Sequence, residues 1–376
     1  MRIAFVIDSF VRGGKERRCL QLIQGLNQAG FQDLLLVVVN NDVEYTEIYD
    51  TRAKIVVMDR KNKGKSNWHS INELSAHLHS FAPDIVMAWS RMSAAFVDLI
   101  RLRNKFRYIV GYIADCNTPH FPSRDYFIHR LSIHLCNKAV GNSLAGLKAY
   151  DIPSEKAVCI YNGFNSNRLD VLRHFDSTDF KSKVLHISTP HIVSMVARVD
   201  RQKDYSAFIE VARRILSIRD DVTFLAIGKG ELLDSTKNTI LPEERDFIRF
   251  LGFRTDVEQI LAASSLSVLL TDYHYHAEGI SNSLLESMAI GIPVIATRGG
   301  GSVEIVKDGE TGYLIDRNDV EETARRIIHL LDDEPTRKAM GNACRQRIVT
   351  LCSLEATTRQ YIALFQSLLD HTISPS

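Results

Sequence analysis

No apolar run in this 376-residue chain approaches the length of a membrane span. The longest uncharged stretches, such as LLLVVV at Leu34 to Val39, fall far short of the ~20 residues a bilayer requires. Met1 leads straight into a strand-like RIAFVID, so neither a spanning helix nor a signal peptide is expected, and the chain reads as cytoplasmic. The six cysteines (Cys19, Cys116, Cys136, Cys159, Cys344 and Cys352) contain no C-x-x-C pair and no His at zinc-ligand spacing. That argues against a metal or redox framework and for buried thiols in a reducing compartment. Nucleotide fingerprints are equally scarce. FVRGGKE lacks G-x-G-x-x-G, IGKGE has Leu233 where a third dinucleotide-binding glycine would fall, and RKNKGKSN has Asp59 where a P-loop needs glycine. Nicotinamide and ATPase chemistry are disfavoured. No convincing DxD loop is found for a catalytic metal, and the basic residues are not interleaved with aromatics as a nucleic-acid surface would require.

What is present is an ordinary globular composition, 45% hydrophobic and 24% charged, with length for two or three domains. The net charge of +1 hides an asymmetry. Residues 1–176 carry 23 Lys and Arg against 17 Asp and Glu, whereas residues 177–376 carry 23 against 28. The basic half is consistent with an anionic surface or acceptor, or with chance. Short β-branched runs alternate with helical periodicity: RIAFVI, DLLLVVVN, AKIVVM, DIVMAW, RYIVGYI, KAVGN and KAVCIYNG, with a helix over Lys15 to Ala29 after the first. The polar segment Phe164 to His186 breaks the rhythm, which restarts with HIVSMVARV, VTFLAIG, FIRFLG, LSVLLT, PVIAT and GYLID. Strict alternation predicts an α/β protein with two doubly wound parallel sheets, residues 1–180 and 181–353, and a closing helix over 354–376 packing back on the first. Two such domains would face a central cleft at the carboxyl ends of their strands.

The most informative stretch is HAEGISNSLLESMAIGIPVIA, which sets Glu278 and Glu286 on either side of a Gly, Ser and Asn run. A strand ending near Thr271 and a helix starting around Asn282 to Ser283 and stopping at Gly291 would leave Glu278 in a loop and Glu286 in the first helical turn. For Glu286, Ser283-x-x-Glu286 also fits a capping box. The amides of Gly279, Ile280 and Ser281 would be available to an anion at the helix start. Acids flanking an anion site suit a polyol–anion–polyol ligand such as a sugar diphospho-nucleoside. The glycines of TRGGGSVE (Gly299 to Gly301) imply a backbone that must approach a ligand or a neighbouring element closely. Gly13 and Gly14 suit either an anion at the first helix start or a tight strand-to-helix turn.

Glu278-(x)7-Glu286 followed by SMAIGIPVIATRGGGSVEIVKDGETGYLI resembles the signature of retaining GT-B glycosyltransferases of the large family 4. The likeness covers nearly the whole chain, with GGKERR as the first-domain glycine loop, YNGFN as the hinge and ARVDRQKD as the basic motif opening the second domain. It implies two Rossmann-like domains in the GT-B arrangement. It further implies that Arg198 and Lys203 hold the donor diphosphate, where fixed cations stabilise the leaving charge. Glu278 would bind sugar hydroxyls, Glu286 the ribose diol, and the main chain of Gly252, Phe253 and Arg254 the base. Gly13, Gly14, Asn162, Gly163 and Gly279 to Asn282 would complete the donor site. The family's first-domain His is absent from YIVGYIADCNTPH. Asp115, Asn117 or His120 would replace it; Asp115 is preferred as a catalytic group, with an Asx turn in ADCN as its structural alternative. The expected reaction moves a sugar, with retention, from a nucleotide-diphosphate donor such as a UDP-sugar to a hydroxyl of a glycan or lipid-linked acceptor in envelope polysaccharide synthesis. No metal or other cofactor is expected. The basic clusters Lys61, Lys63, Lys65 and Arg101, Arg103, Lys105, Arg107 suggest peripheral contact with an anionic inner membrane face. A nucleotide-sugar epimerase of the same architecture and a non-catalytic nucleotide-sugar-binding protein are the alternatives.

Overall fold

The computed structural model describes residues 1–60, 67–273 and 278–370. Lys61, Lys63 and Lys65 lie outside the described residues, as does His276. The chain forms two compact units, Met1–Gly163 with Leu354–Ser376, and Phe164–Ser353.

The first unit is built on seven strands, β1 (Ile3–Ile7), β2 (Leu34–Val38), β3 (Lys54–Val57), β4 (Ile85–Ala88), β5 (Arg107–Ile113), β6 (Lys138–Gly141) and β7 (Ala157–Cys159). They pair in the order β3-β2-β1-β4-β5-β6-β7, and every pairing is parallel. Burial on both faces explains why β1 is apolar at every position. Its alternating side chains serve two cores. Ile3, Phe5 and Ile7 pack with Leu22, Ile23 and Leu26 of the helix Gly14–Gln28 and with Tyr361 and Phe365 of the closing helix Leu354–Asp370. Ala4 and Val6 pack with Leu74, Phe96 and Val97 on the other side.

The second unit contains β8 (His191–Val196), β9 (Val222–Ile227), β10 (Ile248–Gly252), β11 (Leu266–Leu269), β12 (Val294–Thr297) and β13 (Gly312–Ile315). Their order, β10-β9-β8-β11-β12-β13, reverses direction between β8 and β11. At such a switch point the loops leaving the two central strands diverge and open a crevice at their carboxyl ends. The loop after β8 carries Arg198 and Lys203, and the loop after β11 carries Glu278.

The unit boundary falls at Gly163/Phe164 rather than at 180/181. Residues 164–180 join the second unit because Phe164 bridges to Ser353, its N–H donates to the Cys352 carbonyl at 2.6 Å, and Arg168 pairs with Glu258 and Glu286. The cysteines are free; Cys19, Cys136, Cys344 and Cys352 are buried, while Cys116 and Cys159 are only half-buried. Burial pushes the Cys136 thiol up to about 12, so it is inert at neutral pH.

Candidate active site

Two loops of the second unit are laced together. Asp200 accepts from the N–H groups of Gln202 (3.0 Å) and Lys203 (3.3 Å), folding the chain back after β8. The Asp204 N–H donates to the Leu270 carbonyl at 3.0 Å, the Asp272 N–H to the Gln202 carbonyl at 2.9 Å, and Lys203 pairs with Thr271 across the join. Asp204 then caps the helix Tyr205–Leu216 by accepting from Ala207 N–H at 2.9 Å. This stitching carries the Lys203 ammonium, 8% exposed, onto the Glu278 carboxylate. The two charged residues expected at the reacting sugar and diphosphate are therefore in direct contact.

The glycine run explains how Glu278 is held. The Gly301 N–H donates to the Glu278 carbonyl at 2.9 Å. A β-carbon on Gly300, whose φ is +49°, would collide with that carbonyl, and one on Gly301 would lie 2.7 Å from the Ile280 nitrogen. A β-carbon on Gly299 would stand 2.8 Å from the Tyr273 ring, whose hydroxyl donates to the Gly299 carbonyl at 2.8 Å. The close approach implied by three glycines is thus to the backbone of Glu278 to Ile280 and to Tyr273.

The helix Asn282–Ile290 follows, with buried Ser281 at its N-cap and Ile280 buried before it. It ends in a Schellman motif: Gly291 adopts φ +89°, its N–H donates to Met288 at 3.0 Å, and Ile292 N–H donates to Ser287 at 2.9 Å. With Ser281 as N-cap, Glu286 is the fifth helical residue rather than the third, and the Ser283–Glu286 capping box does not form. The helix begins at Asn282, so Ser283 is already inside it; its hydroxyl meets that of Ser281 at 3.0 Å. The buried Glu286 carboxylate instead accepts from Arg168 at 2.8 Å.

A third loop, after β10, supplies an open platform. Gly252 adopts φ +66° and its carbonyl accepts from Gly228 N–H at 2.9 Å. Phe253 is 54% exposed, with the Lys229 ammonium 5.4 Å from its ring centroid. Arg254 donates through one guanidinium edge to both oxygens of Asp256, Nε to Oδ1 at 2.8 Å and Nη2 to Oδ2 at 2.5 Å, which raises the guanidinium pKa and lowers that of the carboxyl. Arg198 is not drawn into the Lys203–Glu278 contact. Its side chain is 70% exposed, donating to Gln202 at 3.1 Å and lying 3.2 Å from Asp200. It lines a pocket of about 450 Å³ with Asp200, Arg201, Gln202, Gly230 and Glu231.

The residues expected from the first unit have local partners of their own. Gly13 is the N-cap of Gly14–Gln28, and the buried Glu16 carboxylate folds over it while lying 3.4 Å from Lys15. Asp115 forms the Asx turn, accepting from Asn117 N–H at 2.9 Å, and also accepts from the Tyr150 hydroxyl at 2.9 Å. His120 is exposed. Asn162 is buried, and Gly163 lies so close to the closing helix that a β-carbon would stand 3.2 Å from Leu354 Cα. Arg168, Glu258, Lys229 and Tyr150, which touch the candidate residues, carry no local sequence signal. Among the described residues, no group of three His, Cys, Asp or Glu side chains is placed to hold a metal ion, and no helix is long and apolar enough to cross a membrane.

Two doubly wound parallel sheets with these strand orders define the GT-B glycosyltransferase fold. The chain superposes on the crystal structure of Anabaena Alr3699/HepE in complex with UDP with a TM-score of 0.83, at 18% identity, covering 98% of this chain and 100% of that one. Residues 176–347, a little under half of the chain, match the family of glycosyl transferases group 1. The chain is 29% identical over 210 residues to the N-acetyl-alpha-D-glucosaminyl L-malate synthase of Bacillus anthracis; this match covers 55% of the chain and spans about half (51%) of that relative. It is 26% identical over 361 residues to the Staphylococcus aureus capsular polysaccharide biosynthesis glycosyltransferase CapM, covering 88% of this chain and 90% of that one.

Proposed function

We propose that the protein is a retaining glycosyltransferase that moves a sugar from a nucleotide-diphosphate donor to an acceptor hydroxyl in envelope glycan synthesis. The observation that carries this reading is the Lys203–Glu278 contact at the start of the helix bearing Glu286. In one small region it joins a diphosphate cation, a hydroxyl-binding acid and the amides of a helix N-terminus, followed by a second buried acid. In the reaction, the bond from the anomeric carbon to the diphosphate breaks and one to the acceptor oxygen forms. The acceptor proton leaves on the departing phosphate, whose charge Lys203 and Arg198 stabilise. Glu278 accepts from the sugar hydroxyls, Glu286 from the ribose diol, and Phe253 stacks on the base. The donor is taken to be a UDP-sugar and the acceptor a glycan or lipid-linked glycan. The UDP bound in the superposed Anabaena structure and the capsular role of the Staphylococcus relative favour that choice.

The test is a panel of nucleotide sugars, with nucleotide release measured with and without glycan acceptors and in excess chelator. Acceptor-stimulated release that survives chelation supports the reading. Conversion of the donor sugar without any acceptor would point to the epimerase, strict dependence on manganese or magnesium would overturn the metal-free mechanism, and binding without turnover would leave a binding protein.

A further inference from the structure

Arg168 stands between two acids on two different helices. Its Nη1 donates to Glu286 Oε1 at 2.8 Å, and its Nη2 contacts the carboxylate of Glu258 on the helix Val257–Ala262. The guanidinium also lies 5.6 Å from the Phe164 ring centroid. The side chains of Arg168, Glu258 and Glu286 are 27%, 11% and 7% exposed. A cluster of three largely desolvated charges is a poor device for stability alone, because apolar side chains of similar volume often serve as well. It is a good device for fixing one carboxylate. Guanidinium is planar, so an Arg held at Nη2 by Glu258 presents Nη1 to Glu286 in a fixed plane.

We infer that Arg168 is a positioning residue for donor recognition: it sets the Glu286 carboxylate for the ribose diol, and Glu258 holds Arg168 in register. This rests on the donor-site reading above. A carboxylate discriminates a diol from a deoxyribose only if its oxygens are aimed, since the gain from each hydroxyl depends on hydrogen-bond angle. Arg168 comes from the segment Ser166–Leu172, which enters the second unit just after the chain leaves the first. The aim of Glu286 is thereby set by a residue far from it in sequence.

The experiment titrates UDP, GDP and ADP, and their 2′-deoxy counterparts, into the full chain by calorimetry. The variants are Glu286→Gln, Arg168→Gln, Arg168→Lys and Glu258→Gln. The native protein should prefer the ribonucleotide over the deoxynucleotide by about tenfold or more, the scale of a hydrogen bond to a charged group. Glu286→Gln should abolish the preference. Arg168→Gln should reduce it to about twofold while deoxynucleotide affinity is unchanged, which a merely structural role would not produce. Arg168→Lys keeps the charge but cannot grip both acids, so its preference should fall between the two; it also serves if Arg168→Gln does not fold. Glu258→Gln should weaken the preference less than Arg168→Gln. A native ratio in both Arg168 variants, with the ratio lost in Glu286→Gln, overturns this inference and keeps the donor site. An unchanged ratio in Glu286→Gln, or no diphosphate binding by the native chain, overturns the donor-site reading and this inference with it.

Discussion

Lys203 and Arg198 are assigned the same work on the leaving diphosphate, yet their surroundings differ enough to separate catalysis from stability. The Lys203 side chain is 8% exposed and paired with Glu278, itself 22% exposed, whereas that of Arg198 is 70% exposed. Removing one partner of a fully buried ion pair costs about 3–5 kcal/mol; Glu278 keeps some solvent, so about 2 kcal/mol is expected for Lys203→Ala. Arg198→Ala should cost no more than about 0.5 kcal/mol, as for other exposed positions. Turnover should nevertheless fall about 100-fold in each, since a fixed charge facing a developing anion contributes about 3 kcal/mol to the transition state. The double variant Lys203→Ala with Glu278→Ala removes the stranded carboxylate. It should recover part of the stability lost in Lys203→Ala and none of the turnover. Urea midpoints and acceptor-dependent nucleotide release, both measured well below the melting temperature, give the two quantities separately. Arg198→Ala with native turnover, or turnover in the double variant that recovers along with stability, would refute the assignment of these cations to the leaving group.

Asp98 is fully buried, and burial, opposed by the hydrogen bond from Ser132 at 2.6 Å, raises its carboxyl from 3.8 to about 6. The folded state therefore holds this proton more tightly than the unfolded chain. Its contribution is fully present below pH 3.8 and is lost as pH rises through about 6, on the order of 3 kcal/mol across the interval. Asp98→Asn should match the native protein near pH 4 and exceed it at pH 8 in urea unfolding; parallel pH curves would refute this. At the basic cluster Arg101 to Arg107, Arg101 packs 5.4 Å from the Phe106 ring centroid and donates to the Asn104 carbonyl at 3.3 Å, leaving Arg103 and Lys105 exposed beside Leu102. Weak, salt-sensitive sedimentation with anionic liposomes should be lost on Arg103→Gln with Lys105→Gln, each cation contributing about 1 kcal/mol. Equal sedimentation of that variant, or none by the native protein at low salt, favours a soluble acceptor.

The inner strands were legible because they are buried on both faces and apolar along their length, as β1, β2 and β4 are; the edge strand β3 keeps only an apolar centre. Each quoted β-branched run holds one of β1 to β13, and the helix stop at Gly291 was readable from its need for positive φ. The unit boundary was not. Residues 164–180 are polar and lack an apolar period; what assigns them is the Phe164–Ser353 bridge and the ion pairs of Arg168, partners ninety or more positions away. Long-range pairing leaves no local trace.

The same distinction runs through the candidate site. Local spacing placed Glu278 in a loop after a strand, and the resemblance placed Lys203 in the basic motif opening the second domain. Their contact depends on β8 and β11 being neighbours, a property of sheet order rather than of either motif. The capping-box reading of Glu286 failed for a related reason. Ser-x-x-Glu is a local pattern, but the first turn of the helix is fixed by the backbone of Glu278 to Ile280 seating against Gly300 and Gly301. That seating shifts Ser283 into the helix and frees Glu286 from its cap role, so that it meets Arg168 instead. The three glycines thus act indirectly: by letting two backbones touch they seat Glu278 and the start of the helix, while the Glu286 carboxylate is held by Arg168.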